Sequence, residues 1–156
     1  MSQRASVAVP APADELYAWL REVDNWPQFL EGLDAVEPLG YRRYRWHITY
    51  AGRSETCDVV VTADADEHRI TWRHLTGKPF DGTLRMTPLS PDRTRVDLVI
   101  DIKPVGLAQG IADFTHHTGW MAERDVQRLR DVVESWTALR RSADEDTEER
   151  DGEHVG

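Results

Sequence analysis

The sequence predicts an α+β fold in which seven antiparallel strands wrap around a long C-terminal helix, with two short helices after the first strand. Three observations predict it. An apolar/polar alternation of period two runs from about residue 33 almost to Pro104. A helical repeat of apolar positions occupies residues 106–141. Between a lone first strand and the alternating region, helix signals replace strand signals. A sheet curled around a helix leaves a cavity between them, and the residues that line it decide function.

Residues 6–9 form a short strand that Pro10 stops. Pro12 suits the first turn of a helix, and Asp14 and Glu15 suit its positive end. Leu16, Trp19, Leu20 and Val23 then make one apolar face. Trp26-Pro27 is expected to break that helix and start a second short one through Leu30. Six strands follow at 33–39, 42–50, 55–63, 69–75, 80–88 and 94–103. The breaks between them are short and rich in turn residues, so the sheet is an antiparallel meander. Tyr44, Trp46, Ile48 and Tyr50 share one face, opposed by Arg43, Arg45, His47 and Thr49. Ile70 and Trp72, then Phe80, Leu84 and Met86, then Val96, Leu98, Ile100 and Ile102 repeat that division. Cys57, Val59, Val61 and Ala63 are assigned to the same apolar face, and the glycines are expected at turns. The last helix carries Leu107, Ile111, Phe114, Met121, Ala122, Leu129, Val132, Val133 and Trp136 on its apolar side. Thr115 to Gly119 soften that stripe, as a helix lining a cavity would.

The 156 residues fit one domain at 1–141 followed by an acidic tail at 142–156. Seven of the acidic residues that give the net charge of −9 fall in that tail against the single Arg150, and a disordered tail is expected. The remaining body is only mildly acidic, which argues against nucleic acid as a partner. One cysteine, Cys57, excludes an internal disulfide. No apolar run has the length of a membrane span and the N-terminal stretch has no signal-peptide core, so a cytoplasmic location is expected. Oligomeric state is open.

Few groups carry chemistry. There is no nucleophile elbow, no phosphate-binding glycine loop and no dinucleotide fingerprint. Cys57 reads as a small core residue. Asp113 and His117 lie four apart on one helix face, but two ligands without a third make no metal site, and neither metal nor cofactor is expected. The inward polar groups are Tyr44, Tyr50, His74 and Thr118, each needing a partner if buried. Tyr44, Tyr50 and His74 are the acid/base candidates. Trp26, Phe29, Tyr44, Trp46, Val59, Val61, Trp72, Leu84, Leu98, Ile100, Ile111, Phe114 and Thr118 are the expected walls of a ligand pocket.

Several motifs taken together resemble a known family. They are Val7-Ala8-Val9-Pro10-Ala11-Pro12, Asp24-Asn25-Trp26-Pro27-Gln28-Phe29-Leu30, Arg69-Ile70-Thr71-Trp72, Gly82-Thr83-Leu84 with Pro88, and Thr94-Arg95-Val96. From Ser6 to Trp136 the chain resembles the START-like (SRPBCC) superfamily, most closely its polyketide cyclase/dehydrase branch. The resemblance implies a helix-grip fold, a curved seven-stranded sheet around the C-terminal helix, with a deep cavity for a hydrophobic ligand. Members cyclise or aromatise polyketides, or bind quinones or lipids. Aromatase/cyclase members have a tyrosine seven residues after the tryptophan that Trp26 matches, and an inward arginine on the strand matching 55–63. The corresponding positions here are Leu33 and the neighbourhood of Ala63, and that strand holds no arginine. The expectation is a carrier or sensor of a lipid, quinone or polyketide-like molecule. The alternatives are a cyclase, aromatase or dehydratase using the same cavity, and a protein-interaction module using the acidic tail.

Overall fold

Strand pairing in the computed structural model follows the alternation that the sequence carries. Residues 2–102 and 121–153 are described by the structure. Strands β1 (Ser2–Val9), β2 (Leu33–Gly40), β3 (Arg43–Tyr50), β4 (Arg53–Asp64), β5 (Arg69–Gly77), β6 (Phe80–Ser90) and β7 (Arg93–Ile102) form one sheet. Their order is β1-β7-β6-β5-β4-β3-β2, antiparallel throughout. The meander is therefore as expected, and β1 closes it by pairing with β7 from Ser2↔Asp101 to Val9↔Thr94. That strand starts four residues earlier than its apolar stretch, because residues 2–5 gain ladder hydrogen bonds, with Ala5 alone of them packing against the core.

The inward set is the predicted one. Trp46, Ile48, Cys57, Val59, Val61, Ile70, Trp72, Phe80, Leu84, Met86, Val96, Leu98, Ile100 and Ile102 are all buried in one apolar cluster. Bulges between Asp58 and Val59 and at the ends of β2 and β6 interrupt the ladder. At the two-residue turn joining β3 to β4, Ala51 (φ 51°) and Gly52 (φ 76°) both take left-handed conformations, the pattern that matches strand twist.

Helix α1 (Ala13–Leu20) starts after Pro12 in extended conformation and buries Leu16, Tyr17 and Leu20. The chain leaves it at Arg21, not at Trp26-Pro27 as expected. Pro27 sits inside a 3-10 helix, Val23–Gln28. A short tight helix tolerates the missing N–H because few of its groups are bonded internally. Helix α2 (Ala122–Glu153) packs Ala122, Val126, Leu129 and Val133 inward. Val126 completes the stripe and Met121 stays exposed, both unlike the expected set. Two side chains fix its start: Gln3 Oε1 accepts from the Ala122 N–H at 2.9 Å, and Asp125 Oδ1 accepts from the Glu31 N–H at 3.2 Å. Where composition predicts a disordered tail from residue 142, α2 continues to Glu153. No proline or glycine interrupts it before Gly152. No helix among the described residues is long and apolar enough to cross a membrane.

Candidate ligand cavity

The interior of the grip is built from aromatic rings. Trp46 on β3 and Trp72 on β5 flank β4 and point to the same side. Trp26 of the 3-10 helix drops onto both, with ring centroids 5.5 Å and 5.2 Å away. Trp46 and Trp72 lie 5.6 Å apart, and Phe80 touches both at 5.5 and 5.7 Å. Small residues opposite the indoles make the room: Cys57 pairs with Trp46, and Gly82 pairs with Trp72. Gly82 is mid-strand rather than at a turn, which corrects the reading of the glycines. A Cβ there would meet Trp72 Cζ2 at 2.0 Å, so the indole lies flat on bare backbone.

The three buried indoles differ in how their N–H groups are met. Trp26 Nε1 donates to the Leu20 carbonyl at 2.7 Å. Trp46 Nε1 and Trp72 Nε1 are buried with no acceptor among the described residues. Phe29, Val59, Val61, Leu84, Leu98 and Ile100 join the same apolar cluster as these rings. The expected wall residues are thus brought together as packed interior. Ile111, Phe114 and Thr118, with Asp113 and His117, lie outside the described residues, as does the side chain of Tyr50.

Of the acid/base candidates, the structure describes the side chains of Tyr44 and His74. Tyr44 pairs with Val59 and Val59 with His74, so Tyr44 and His74 are two strands apart, roughly 10 Å. Burial raises the Tyr44 hydroxyl above the usual tyrosine range, and the charges of Asp24 and Glu22 add to this. His74 is half-buried and tied to Asp81: its ring Nδ1 lies 2.8 Å from Asp81 Oδ1, and its backbone N–H donates to the same oxygen at 2.8 Å. Leu33 and Ala63 stand where the aromatase-type tyrosine and arginine were implied. Leu33 is buried against β3, pairing with Ile48, and Ala63 pairs with Ile70. Cys57 is a core residue as expected. Its thiol donates to the Lys78 carbonyl at 3.0 Å, and burial, with Asp58 and Asp81 adding, pushes it up to about 12. No cluster of three metal-ligating side chains occurs among the described residues.

A second region was not anticipated. An open pocket of ≈ 810 Å³ is lined by Asp34, His47, Ile48, Ser54, Glu55, Thr56, Gly77 and Lys78. Its charged pair is Lys78 Nζ and Glu55 Oε2, 3.3 Å apart, with side chains 7% and 31% exposed. Gly77, at φ 86°, lets the β5–β6 turn press onto β4, where a Cβ would lie 2.5 Å from the Thr56 carbonyl oxygen. The Lys78 N–H completes that contact by donating to the same oxygen at 3.4 Å. One signal was present in the sequence: Glu55 has the parity of Cys57, Val59 and Val61, an acid on an apolar face.

The model of a family described as polyketide cyclase/dehydrase and lipid transport matches residues 2–134. An uncharacterized 17.2 kDa protein of Streptomyces lincolnensis is 22% identical over 130 residues, 83% of this chain and 87% of that one. A START superfamily protein of Mycobacterium smegmatis superposes with a TM-score of 0.68 at 19% identity, covering 86% of this chain and 98% of its own. The di-domain aromatase/cyclase BexL of the BE-7585A biosynthetic pathway gives a TM-score of 0.62 at 25% identity, covering 86% of this chain and 46% of that larger one.

Proposed function

For a chain that belongs to the polyketide cyclase/dehydrase and lipid transport family, we propose the binding of a hydrophobic small molecule in the helix-grip interior, as a carrier or sensor. The observation that carries this reading is the inward face of the sheet. From β3 to β7 its buried positions are almost wholly apolar, and Ile48 continues that face into the wall of the open pocket. The open pocket that this face reaches at Ile48 has a volume of ≈ 810 Å³, in the range of small-molecule sites. Burial of the ligand's apolar surface supplies the driving force, about 25 cal/mol per Å² removed from water. Tyr44 and His74 lie two strands apart, and hydrophobic side chains hold the positions that would supply a tyrosine and an arginine. Both points favour holding a ligand over transforming it.

The likeness to one half of an aromatase/cyclase supports a second reading, cyclisation or dehydration of a polyketide-like chain in the same interior. One experiment separates the two. The protein is purified from its own host, extracted with organic solvent, and the extract identified by mass spectrometry. The recovered molecule is then incubated with fresh protein. Stoichiometric recovery of an apolar molecule that returns unchanged is the result expected of a carrier. Loss of water or ring closure on incubation establishes the enzyme. An empty extract, together with no calorimetric heat on titration with apolar naphthalene compounds, overturns hydrophobic binding altogether.

A further inference from the structure

The Glu55–Lys78 pair lies beside the apolar core, and its setting is unusual for a charged pair. Lys78 is nearly as enclosed as the apolar interior, although it belongs to a turn. Its backbone is pinned on both sides, the N–H to the Thr56 carbonyl and the C=O to the Cys57 thiol, so the side chain starts from a fixed point. Glu55 projects from β4 on the parity of the core. Its Oε2 is buried and, although 3.3 Å from the ammonium, receives no directed hydrogen bond from a described residue. Removing two charges from water gives little net stability, and apolar residues of the same volume stabilise a fold as well or better. Charges kept on the wall of a pocket next to an apolar interior are therefore best explained by what they recognise.

The sign of the charges sets the chemistry. Lysine and glutamate together are neutral, and Asp34 adds a further negative charge at the rim. A ligand carboxylate would compete with Glu55 for the ammonium and meet Asp34 as a like charge. A ligand ammonium would meet Lys78. A neutral group with one acceptor and one donor meets neither conflict: a carbonyl oxygen accepts from Lys78 Nζ, and a hydroxyl donates to the partly exposed Glu55 carboxylate. Hydrogen bonds to charged partners are the stronger kind. We infer that the pocket bounded by Glu55 and Lys78 binds the polar end of the ligand, and that this end is a neutral hydroxy-carbonyl group on an apolar body. The inference rests on the proposed hydrophobic binding and adds the identity of the polar end.

The test uses three probes with one apolar body: 2-ethylnaphthalene, 2-(hydroxyacetyl)naphthalene and 2-naphthylacetate. Each is titrated by calorimetry into the wild-type protein, Lys78→Met and Glu55→Gln, with melting midpoints recorded for all three proteins. The hydroxy-ketone is expected to bind the wild type at least about tenfold more tightly than the ethyl compound. That preference is expected to shrink to about twofold or less in either variant, while affinity for 2-ethylnaphthalene is kept. One folded variant suffices for the comparison. A preference that survives in the folded variants places the polar end elsewhere and overturns the inference. So does tightest binding by 2-naphthylacetate, which would make the pocket an anion site. Equal wild-type affinity for all three probes overturns the inference and leaves hydrophobic binding standing. Failure of every probe to bind removes both.

Discussion

Replacing Gly82 with alanine tests whether the interior is packed as the structure describes. The added Cβ would lie 2.0 Å from Trp72 Cζ2, 2.3 Å from Cη2 and 2.5 Å from Cε2. Carbon atoms in contact sit about 3.5–4.0 Å apart, so the indole must retreat by about 1.5 Å. Its neighbours block the retreat, since Trp26, Trp46 and Phe80 all lie within 5.7 Å of its centroid. Overpacking by one methyl group costs about 1–3 kcal/mol. Complete loss of the ring's packing would cost about 3–5 kcal/mol. An effect of about 3 kcal/mol is therefore expected, large against the ~5–15 kcal/mol that holds an ordinary domain together.

The sign makes the test sharp. A glycine inside a strand is otherwise unfavourable against alanine by about 0.5–1 kcal/mol, so without the indole contact the substitution should stabilise. In a Trp72→Leu background the clash is gone, and Gly82→Ala should then be neutral or favourable. The two backgrounds should differ by about 3 kcal/mol in a double-mutant cycle. Urea unfolding followed by circular dichroism reads all four proteins, with unchanged slopes confirming that the unfolded state is not responsible. If Gly82→Ala is neutral or stabilising in the wild-type background, the close approach of Trp72 to Gly82 is wrong.

Two further substitutions probe other parts of the frame. Cys57, raised from 9.0 to about 12 by burial, contributes stability that is complete below about pH 9 and is lost as pH rises from 9 towards 12; Cys57→Ala should flatten that limb of the stability profile, and the native thiol should resist iodoacetamide at pH 8 until the chain unfolds. Ala51 holds a left-handed conformation at φ 51°, so Ala51→Gly should stabilise by about 0.5–1 kcal/mol and raise the melting midpoint by about 2 °C; a lowered midpoint would contradict the turn geometry.

What the sequence disclosed and what it hid divide along physical lines. The meander was legible because each strand alternates and each turn is short and rich in turn residues. Those signals are local, and a register slip would turn every side chain over. The break after α1 was misplaced because Trp26-Pro27 looks like a stop, whereas a 3-10 helix accommodates the proline. Gly82 was taken for a turn residue because its reason lies across the sheet, on a ring ten positions away in sequence. The strand residues expected as walls, from Tyr44 to Ile100, were assigned to the inward face by parity alone. Parity says which face a side chain takes and nothing about how tightly that face is filled. Lys78 was invisible for a different reason: a lysine between glycine and proline is ordinarily solvated, and only the approach of the turn to Thr56 and Cys57 encloses it.

That division bears on how the interior selects what it holds. The aromatic floor offers large apolar surface and little polar direction: one of its indole N–H groups is bonded to Leu20, and the other two are buried with no acceptor among the described residues. The floor can therefore set the size and strength of binding but not its chemical identity. Identity falls to the groups at the open side, where Glu55 and Lys78 supply a fixed acceptor and a fixed donor. Under the proposed reading, affinity and selectivity are separable in this protein. Changes at Trp46 or Trp72 should scale the binding of every apolar probe together, whereas changes at Glu55 or Lys78 should alter only the preference among them. If the protein is the proposed carrier, it can keep one floor while a few residues at the β5–β6 turn and the start of β4 decide which molecule it accepts.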